Sequence, residues 1–446
     1  MSHYKPYPAY KDSGVEWIGP VPEHWDVMRL RHVAAFKNSN VDKKTYDGQE
    51  TVSLCNYTDV YYNEFITSNL PFMQATASPA EIEQFTLKKG DVIITKDSED
   101  PSDIGIPALV AEELPGVVCG YHLTMIRGAD FVTARLLHRA IQSRPTQAHF
   151  FVEAPGITRY GLSQDAIGDL PLCIPPEDER YALTNQIDRE TARIDALIAK
   201  KTRFIELLKE KRQALITHAV TKGLDPTVQM KDSGVEWIGE VPEHWSQWKM
   251  AHGFSKIGSG TTPPTSERKW YEGGTVNWVT TGELREGVIY GTETKVNVEA
   301  IKEFSALKIH PAGSVVIAMY GATIGRLGIL GEDATTNQAC CVLSGAIAIS
   351  QRFVFYWLLA SKKAIIDLFA SGGAQPNINM EKVSELRVPC PSVNEQAQIA
   401  DYLDVHCDRI DLLIAKVQRS IDLLKERRSA FITAAVTGQI DLWGDV

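Results

Sequence analysis

Side chains able to do covalent chemistry occur in this chain, but not in the spacings that such chemistry requires. Asp91 and Lys96 bracket a short apolar run in an arrangement faintly like a nuclease carboxylate–lysine pair. A strand followed by a polar turn accounts for the same residues more simply. His24 and His244 could act as acid–base groups, yet each precedes a Trp in a repeated Pro-Glu-His-Trp run. A residue that does one job twice beside an anchoring aromatic is expected to make a packing or turn contact. The Pro-Pro pairs in Thr262–Thr265 and Ile174–Glu177 lack the flanks of an amino-methylating Asn/Asp-Pro-Pro-Tyr/Phe motif. No Phe-x-Gly-x-Gly loop for S-adenosylmethionine is present, and no G-x-x-x-x-G-K-[ST] loop for a nucleotide. Gly321–Gly325 reads as a strand-connecting turn rather than a phosphate cradle. The seven cysteines form no C-x-x-C pair and read as buried free thiols, not metal ligands. The chain is expected to bind no cofactor or metal of its own and to catalyse nothing.

Charge narrows the classes further. The formal net charge is −10. Residues 26–176 hold 13 Lys/Arg against 19 Asp/Glu, giving −6, and residues 246–392 hold 14 against 12, giving +2. That balance argues against strong, autonomous, non-specific grip on nucleic acid. It leaves room for a reader whose phosphate contacts come from partner chains. At 446 residues two or three domains are expected, and 44% hydrophobic content excludes wholesale disorder. The first nine residues are polar and form no secretory h-region. The most apolar stretch, Val342–Ala360, is interrupted by Ser344, Gly345, Ser350, Gln351 and Arg352, so no membrane helix is expected. Both points, with the free thiols, predict a cytoplasmic protein.

What positions any functional residue is a tandem duplication. Lys11–Trp25 and Lys231–Trp245 match at 14 of 15 positions, at an offset of 220. Arg193–Asp225 and Arg409–Asp441 match at 21 of 33, at an offset of 216. Between them, residues 26–169 and 246–385 share only traces, such as Gly90–Thr95 echoing Gly313–Ala318. Two similar mounts therefore carry two dissimilar heads. The mounts are helical. Ile194, Ile198, Ile205, Leu208 and Leu215 in one copy, and Ile410, Ile414, Val417, Ile421, Leu424 and Phe431 in the other, alternate spacings of three and four. That spacing predicts a coiled-coil seam, interrupted by Lys201, Arg212 and Arg428. Leu197, Phe204, Leu207, Leu413 and Leu423 widen the apolar stripe and imply a further packing partner. Pro175-Pro176 with three acids, and Ser392 with Glu395, mark helix starts; Gly223 and Gly438 mark stops. The predicted helix over 177–221 spans about 67 Å at roughly 1.5 Å per residue.

These segments carry a family resemblance. Pro175-Pro-x-x-Glu179, Ile194-Asp-x-Leu-Ile, Leu207-Leu-Lys-Glu210, Arg212 and Ala219-Val-Thr221 resemble the central conserved region of type I restriction–modification specificity subunits. Glu395-Gln396, Ile399-Ala400, Leu403-Asp404 and Ile410-Asp411 resemble its C-terminal copy. Gly14–Gly19 with Val21–Trp25, and Gly234–Gly239 with Val241–Trp245, are similar to the family's lead-ins to its target-recognition domains. Gly258–Pro263 with Gly273–Trp278 is similar to a common opening of such a domain, which the first head lacks.

The resemblance implies an α+β fold: two target-recognition domains with mixed β-sheets, joined by two long antiparallel coiled-coil helices in a pseudo-two-fold tandem duplication. It implies the division 1–25 lead-in, 26–176 first recognition domain, 177–222 helical spacer, 223–245 linker and second lead-in, 246–392 second recognition domain, and 393–446 second helical spacer. Each head would read one half of a bipartite, asymmetric target in double-stranded DNA. The helices would dock two methyltransferase subunits, with motor-nuclease subunits joining them. S-adenosylmethionine, ATP and Mg would then reside on those partners. Base reading needs polar side chains on exposed loops. The expected contacts are Lys96, Ser98, Arg159 and Tyr160 in the first head. In the second they are Thr261, Thr262, Lys269, Asn277, Arg285, Tyr320, Thr323, Arg326, Gln375 and Asn377. A duplicated coiled-coil adaptor that never touches DNA is the alternative; a methyltransferase gene in the neighbouring reading frame would discriminate against it.

Overall fold

The computed structural model describes residues 4–370 and 377–442. It divides into two compact units. One holds residues 203–417, and the other joins the residues before 203 to those after 417. Each unit therefore contains one head and part of each long helix, so the units do not follow the linear order of head and spacer.

In the first unit the head is a five-stranded sheet beside a three-stranded one. The run at Asp91–Thr95 is wholly buried and forms the middle strand of the larger sheet. Successive side chains leave opposite faces of a strand. Accordingly Val92 and Ile94 enter one apolar cluster, shared with helix Phe131–Ile141, while Ile93 enters a second cluster beneath the smaller sheet. Each such side chain contributes about 1.5–3 kcal/mol on burial.

The second unit repeats this plan with other residues. Val315 and Ile317 face one cluster, Val316 and Ala318 another. Helix Gln351–Phe369 takes the place of Phe131–Ile141. Numbered along the chain within each head, the five strands lie in the order 1-5-3-4-2 in both, with the outermost pair parallel and the rest antiparallel. The faint echo between Gly90–Thr95 and Gly313–Ala318 is thus the shared middle strand.

The duplicated lead-ins form matching hairpins. Tyr10–Asp12 pairs with Pro20–Pro22, and Met230–Asp232 with Glu240–Pro242 in the same register. Asp26–Arg29 then pairs with Pro171–Ile174, and Ser246–Lys249 with Arg387–Cys390, which ties each head's two ends together. Trp25 and Trp245 are buried anchors. Trp17, in the same lead-in as Trp25, is 53% exposed, with its ring near His149.

The long helices run Glu177–Lys222 and Val393–Val436, about 69 Å for the first at roughly 1.5 Å per residue. Gly223 and Gly438 both take positive φ just past the helix ends, where a residue with Cβ is strained. A Cβ at Gly438 would also collide with Pro22. Ser392 caps the second helix by accepting from the Glu395 amide at 3.3 Å, but the Glu395 carboxylate turns to the lead-in.

All eleven apolar seam positions are buried or half-buried. The polar seam positions fix the register. Arg428 pairs with Asp195 (2.8 Å) in the first unit, and Arg212 with Asp411 (3.1 Å) in the second. Leu197, Phe204, Leu207, Leu413 and Leu423 remain 41–49% exposed on these helices.

The duplicated Glu and Asp of each mount hold lead-in and head. Glu179 receives Trp25 Nε1 (3.1 Å), His24 Nε2 (2.9 Å) and the Tyr7 hydroxyl. Glu395 receives Trp245 Nε1 (3.0 Å) and His244 Nε2 (3.0 Å). Nine residues on, Asp188 accepts from Arg135 (2.5 Å) and Arg139 (2.9 Å), while Asp404 accepts from Arg352 and Tyr356 (2.5 Å). In each case the donors stand one helical turn apart on the head's own helix.

Candidate nucleic-acid interface

Three polar stretches separate in sequence converge in the first head. The short strand Asp97–Ser98 pairs with Tyr160–Gly161, and helix Tyr57–Tyr61 lies alongside. Together they line an open cleft of about 660 Å³ that includes Tyr57, Tyr61, Ser98, Asp103, His122 and Arg159. Lys96 is half-buried, its Nζ 2.7 Å from Asp97. Arg159 is exposed and reaches His122 Nε2 at 3.2 Å, while His122 Nδ1 donates to Asp97 at 2.8 Å. Burial pushes the Asp97 carboxyl upward, but hydrogen bonds from Lys96 and His122 outweigh it and hold it below its usual range. Ser98 is nearly buried and accepts the Asp100 amide, while Tyr160 is half-buried.

Aromatic rings form one wall. Tyr57 and Tyr61 stack with centroids 5.5 Å apart, and Tyr62 stands edge-on to Tyr61, 76% exposed. The Tyr61 hydroxyl donates to Asp103 at 2.6 Å, and that bond pushes its pKa up to about 12. The cleft thus presents carboxylates, hydroxyls and one accessible guanidinium: acceptors for base amino groups and a donor for base or phosphate oxygens. His122 and Asp103 escaped the sequence reading, because an isolated His or Asp at a loop edge carries no periodic signal. The carboxylate Asp91 is not part of this site. It lies buried and binds Arg127 at 2.6 and 2.7 Å rather than Lys96.

In the second head the matching place is where Tyr320 bridges Asn377, as Ser98 bridges Tyr160 in the first. Tyr320 is 42% exposed, and Thr323 donates to its carbonyl at 3.2 Å. Arg326, on the same turn, and Arg285 are exposed. Gln375 lies outside the described residues. Thr261 and Thr262 sit half-buried on the neighbouring loop. The Thr261 carbonyl accepts from Trp278 (3.1 Å), and the Thr262 hydroxyl donates to Gln338 (2.6 Å). Gly260 makes this path possible, since a Cβ there would overlap the Thr336 carbonyl.

One expected contact is placed otherwise. Asn277 is buried at 7% exposure and donates to Glu332 at 3.1 Å, so its amide is not presented to a groove. As a base contact it is expected on an exposed loop, but the residue lies in a strand whose neighbours cover it. Lys269 is exposed but engaged, 2.7 Å from Glu267 and over the Trp270 ring at 4.4 Å. The eleven apolar seam residues are buried or half-buried inside the units, leaving the wider stripe, not the seam, as accessible apolar surface.

Among the described residues there is no group of three or more His, Cys, Asp or Glu side chains placed to hold a metal ion. All seven cysteines are buried and free of disulfides. No described helix is long and apolar enough to cross a membrane.

Comparison with known proteins places this geometry in context. Residues 243–421 match the type I restriction modification DNA specificity domain. A putative type I restriction enzyme MjaX specificity subunit of Methanocaldococcus jannaschii is 22% identical over 431 residues, covering 95% of each chain. The EcoR124I/EcoR124II specificity subunit of Escherichia coli is 20% identical over 276 residues, 60% of this chain and 63% of that one. A chain solved in work on complex assembly and conformational transition of the type I R-M system superposes with a TM-score of 0.71. It is 15% identical, with 94% of this chain and 99% of that one covered. The HsdS subunit of Thermoanaerobacter tengcongensis superposes at 0.52, also at 15% identity, over 94% and 98% of the two chains. At such identities the structural likeness concerns the fold.

Proposed function

We propose that this chain, which belongs to the specificity subunits of type I restriction–modification systems, is the DNA-reading component of its complex. Each head reads one half of a bipartite, asymmetric site in double-stranded DNA. One observation carries the reading: heads almost without common sequence share one strand order on near-identical mounts. A shared scaffold with divergent loops is what reading two unlike half-sites by one docking mode requires. The Ser98–Tyr160 cleft and the Tyr320–Asn377 turn occupy the same place in each scaffold, and we assign them the base contacts.

Two methyltransferase subunits dock along the exposed apolar stripe of the long helices, and motor-nuclease subunits join them. S-adenosylmethionine, ATP and Mg belong to those partners, which supply methyl transfer to adenine and cleavage. The chain fixes register on the duplex, so that the partner extracts one particular base from the stack. Its acidic balance favours DNA binding as part of the complex over binding alone.

Methylome sequencing of the host tests this. A methylated-adenine motif of two unlike parts separated by a fixed gap is expected, and it should vanish when this gene is deleted. A deletion that leaves every methylated motif in place overturns the reading.

A further inference from the structure

The tip of the hairpin at the first head's cleft has a feature that base reading leaves unexplained. Gly156 bridges Tyr160, so Ile157, Thr158 and Arg159 form a three-residue tip. Thr158 and Arg159 line the cleft, while Ile157 is 92% exposed. The tip turns tightly on itself. A Cβ at Gly156 would strike the Arg159 carbonyl, the Tyr160 hydroxyl donates to the Ile157 carbonyl at 3.4 Å, and the Arg159 guanidinium reaches His122. A lone exposed isoleucine is ordinary; one at the tip of a tight turn bordering the cleft is a presented group.

We propose that Ile157 is a wedge that enters the stack at one base step of the half-site read by the first head. This rests on the function proposed above. The cleft's chemistry selects DNA bases as the occupant. Asp97, Asp100 and Asp103 line the cleft, and such acceptors suit the amino donors on base edges. An apolar side chain inserted between base pairs unstacks one step and bends the duplex, bringing those edges nearer the protein. The first head thereby gains discrimination from the deformability of that step as well as from hydrogen bonds.

The test uses the complex of the full chain with its methyltransferase partner, and duplexes carrying its target. 2-Aminopurine is placed at successive positions of the half-site that changes when residues 26–169 are exchanged. With the wild-type chain, one position other than the methylated adenine should brighten. I157S should abolish that signal and weaken binding on the order of tenfold, while I157M retains both. A mismatch at the same step, which removes the cost of unstacking, should restore I157S binding to within about threefold. An unchanged unfolding midpoint shows that the exposed substitution leaves the fold intact. Brightening that persists in I157S, or a sequence-specific wild-type complex that brightens no such position, overturns the wedge alone. A complex that binds all sequences equally overturns the function together with the wedge.

Discussion

At the scale of single residues, burial decides what a polar side chain can do. His310 shows this outside the proposed interface. Its ring is 1% exposed beside Gly258, and neither nitrogen has a hydrogen-bond partner among the described residues. Burial, reinforced by Lys256 and Lys308, pushes its pKa down to about 4. Between pH 6.5 and 4 the unfolded chain therefore takes up a proton that the folded chain refuses. Stability falls as pH falls through that window, by up to about 3 kcal/mol at 1.36 kcal/mol per unit. Denaturant midpoints measured from pH 7 to 4 should show this slope, and H310Q should flatten it. Asn277 teaches the same lesson from the other side. An amide in a Gly-rich stretch reads as a groove contact until its neighbours are seen to cover it.

Elements carry the duplication further than sequence identity suggests. Glu179 and Glu395 stand at matching places on the two long helices, yet their surroundings differ. The Glu179 side chain is 7% exposed and receives Tyr7 as well as Trp25 and His24. The position matching Tyr7 is Thr227, and the Glu395 side chain is 26% exposed. Burial and the Glu179 bond push the Tyr7 phenol far above its usual range, so it stays a donor at any working pH. E179A leaves buried donors unpaired and should cost about 3 kcal/mol; E395A should cost about 1 kcal/mol. Urea unfolding of each variant, followed by Trp fluorescence, measures the difference. Equal costs would mean that the repeated Glu-His-Trp contact, without Tyr7, is sufficient.

For the whole molecule the testable property is modularity. Each head closes on itself through the pairing of its first and last short strands. Exchanging residues 26–169 for those of another specificity subunit should change one half of the methylated motif and leave the gap and the other half intact. Methylome sequencing of the exchanged strain reads the result, and an altered second half would refute independent heads. Asp195, Arg428, Arg212 and Asp411 lie outside the exchanged segment, so each ion pair keeps its own two residues.

The sequence alone determined the repeated parts: the lead-ins, the long helices with their glycine stops, and the seam with its polar interruptions. These follow from local rules of spacing, capping and periodicity, and the duplication displayed each rule twice. It also named Ser98 and Arg159 as candidate contacts, but not that they line one cleft with Tyr57 and Tyr61. Only the tertiary structure decided that, because strand order is set by long-range pairing with no local signature. The same pairing revealed the 1-5-3-4-2 order common to both heads, buried Asn277, and left Ile157 standing alone at the tip of its hairpin.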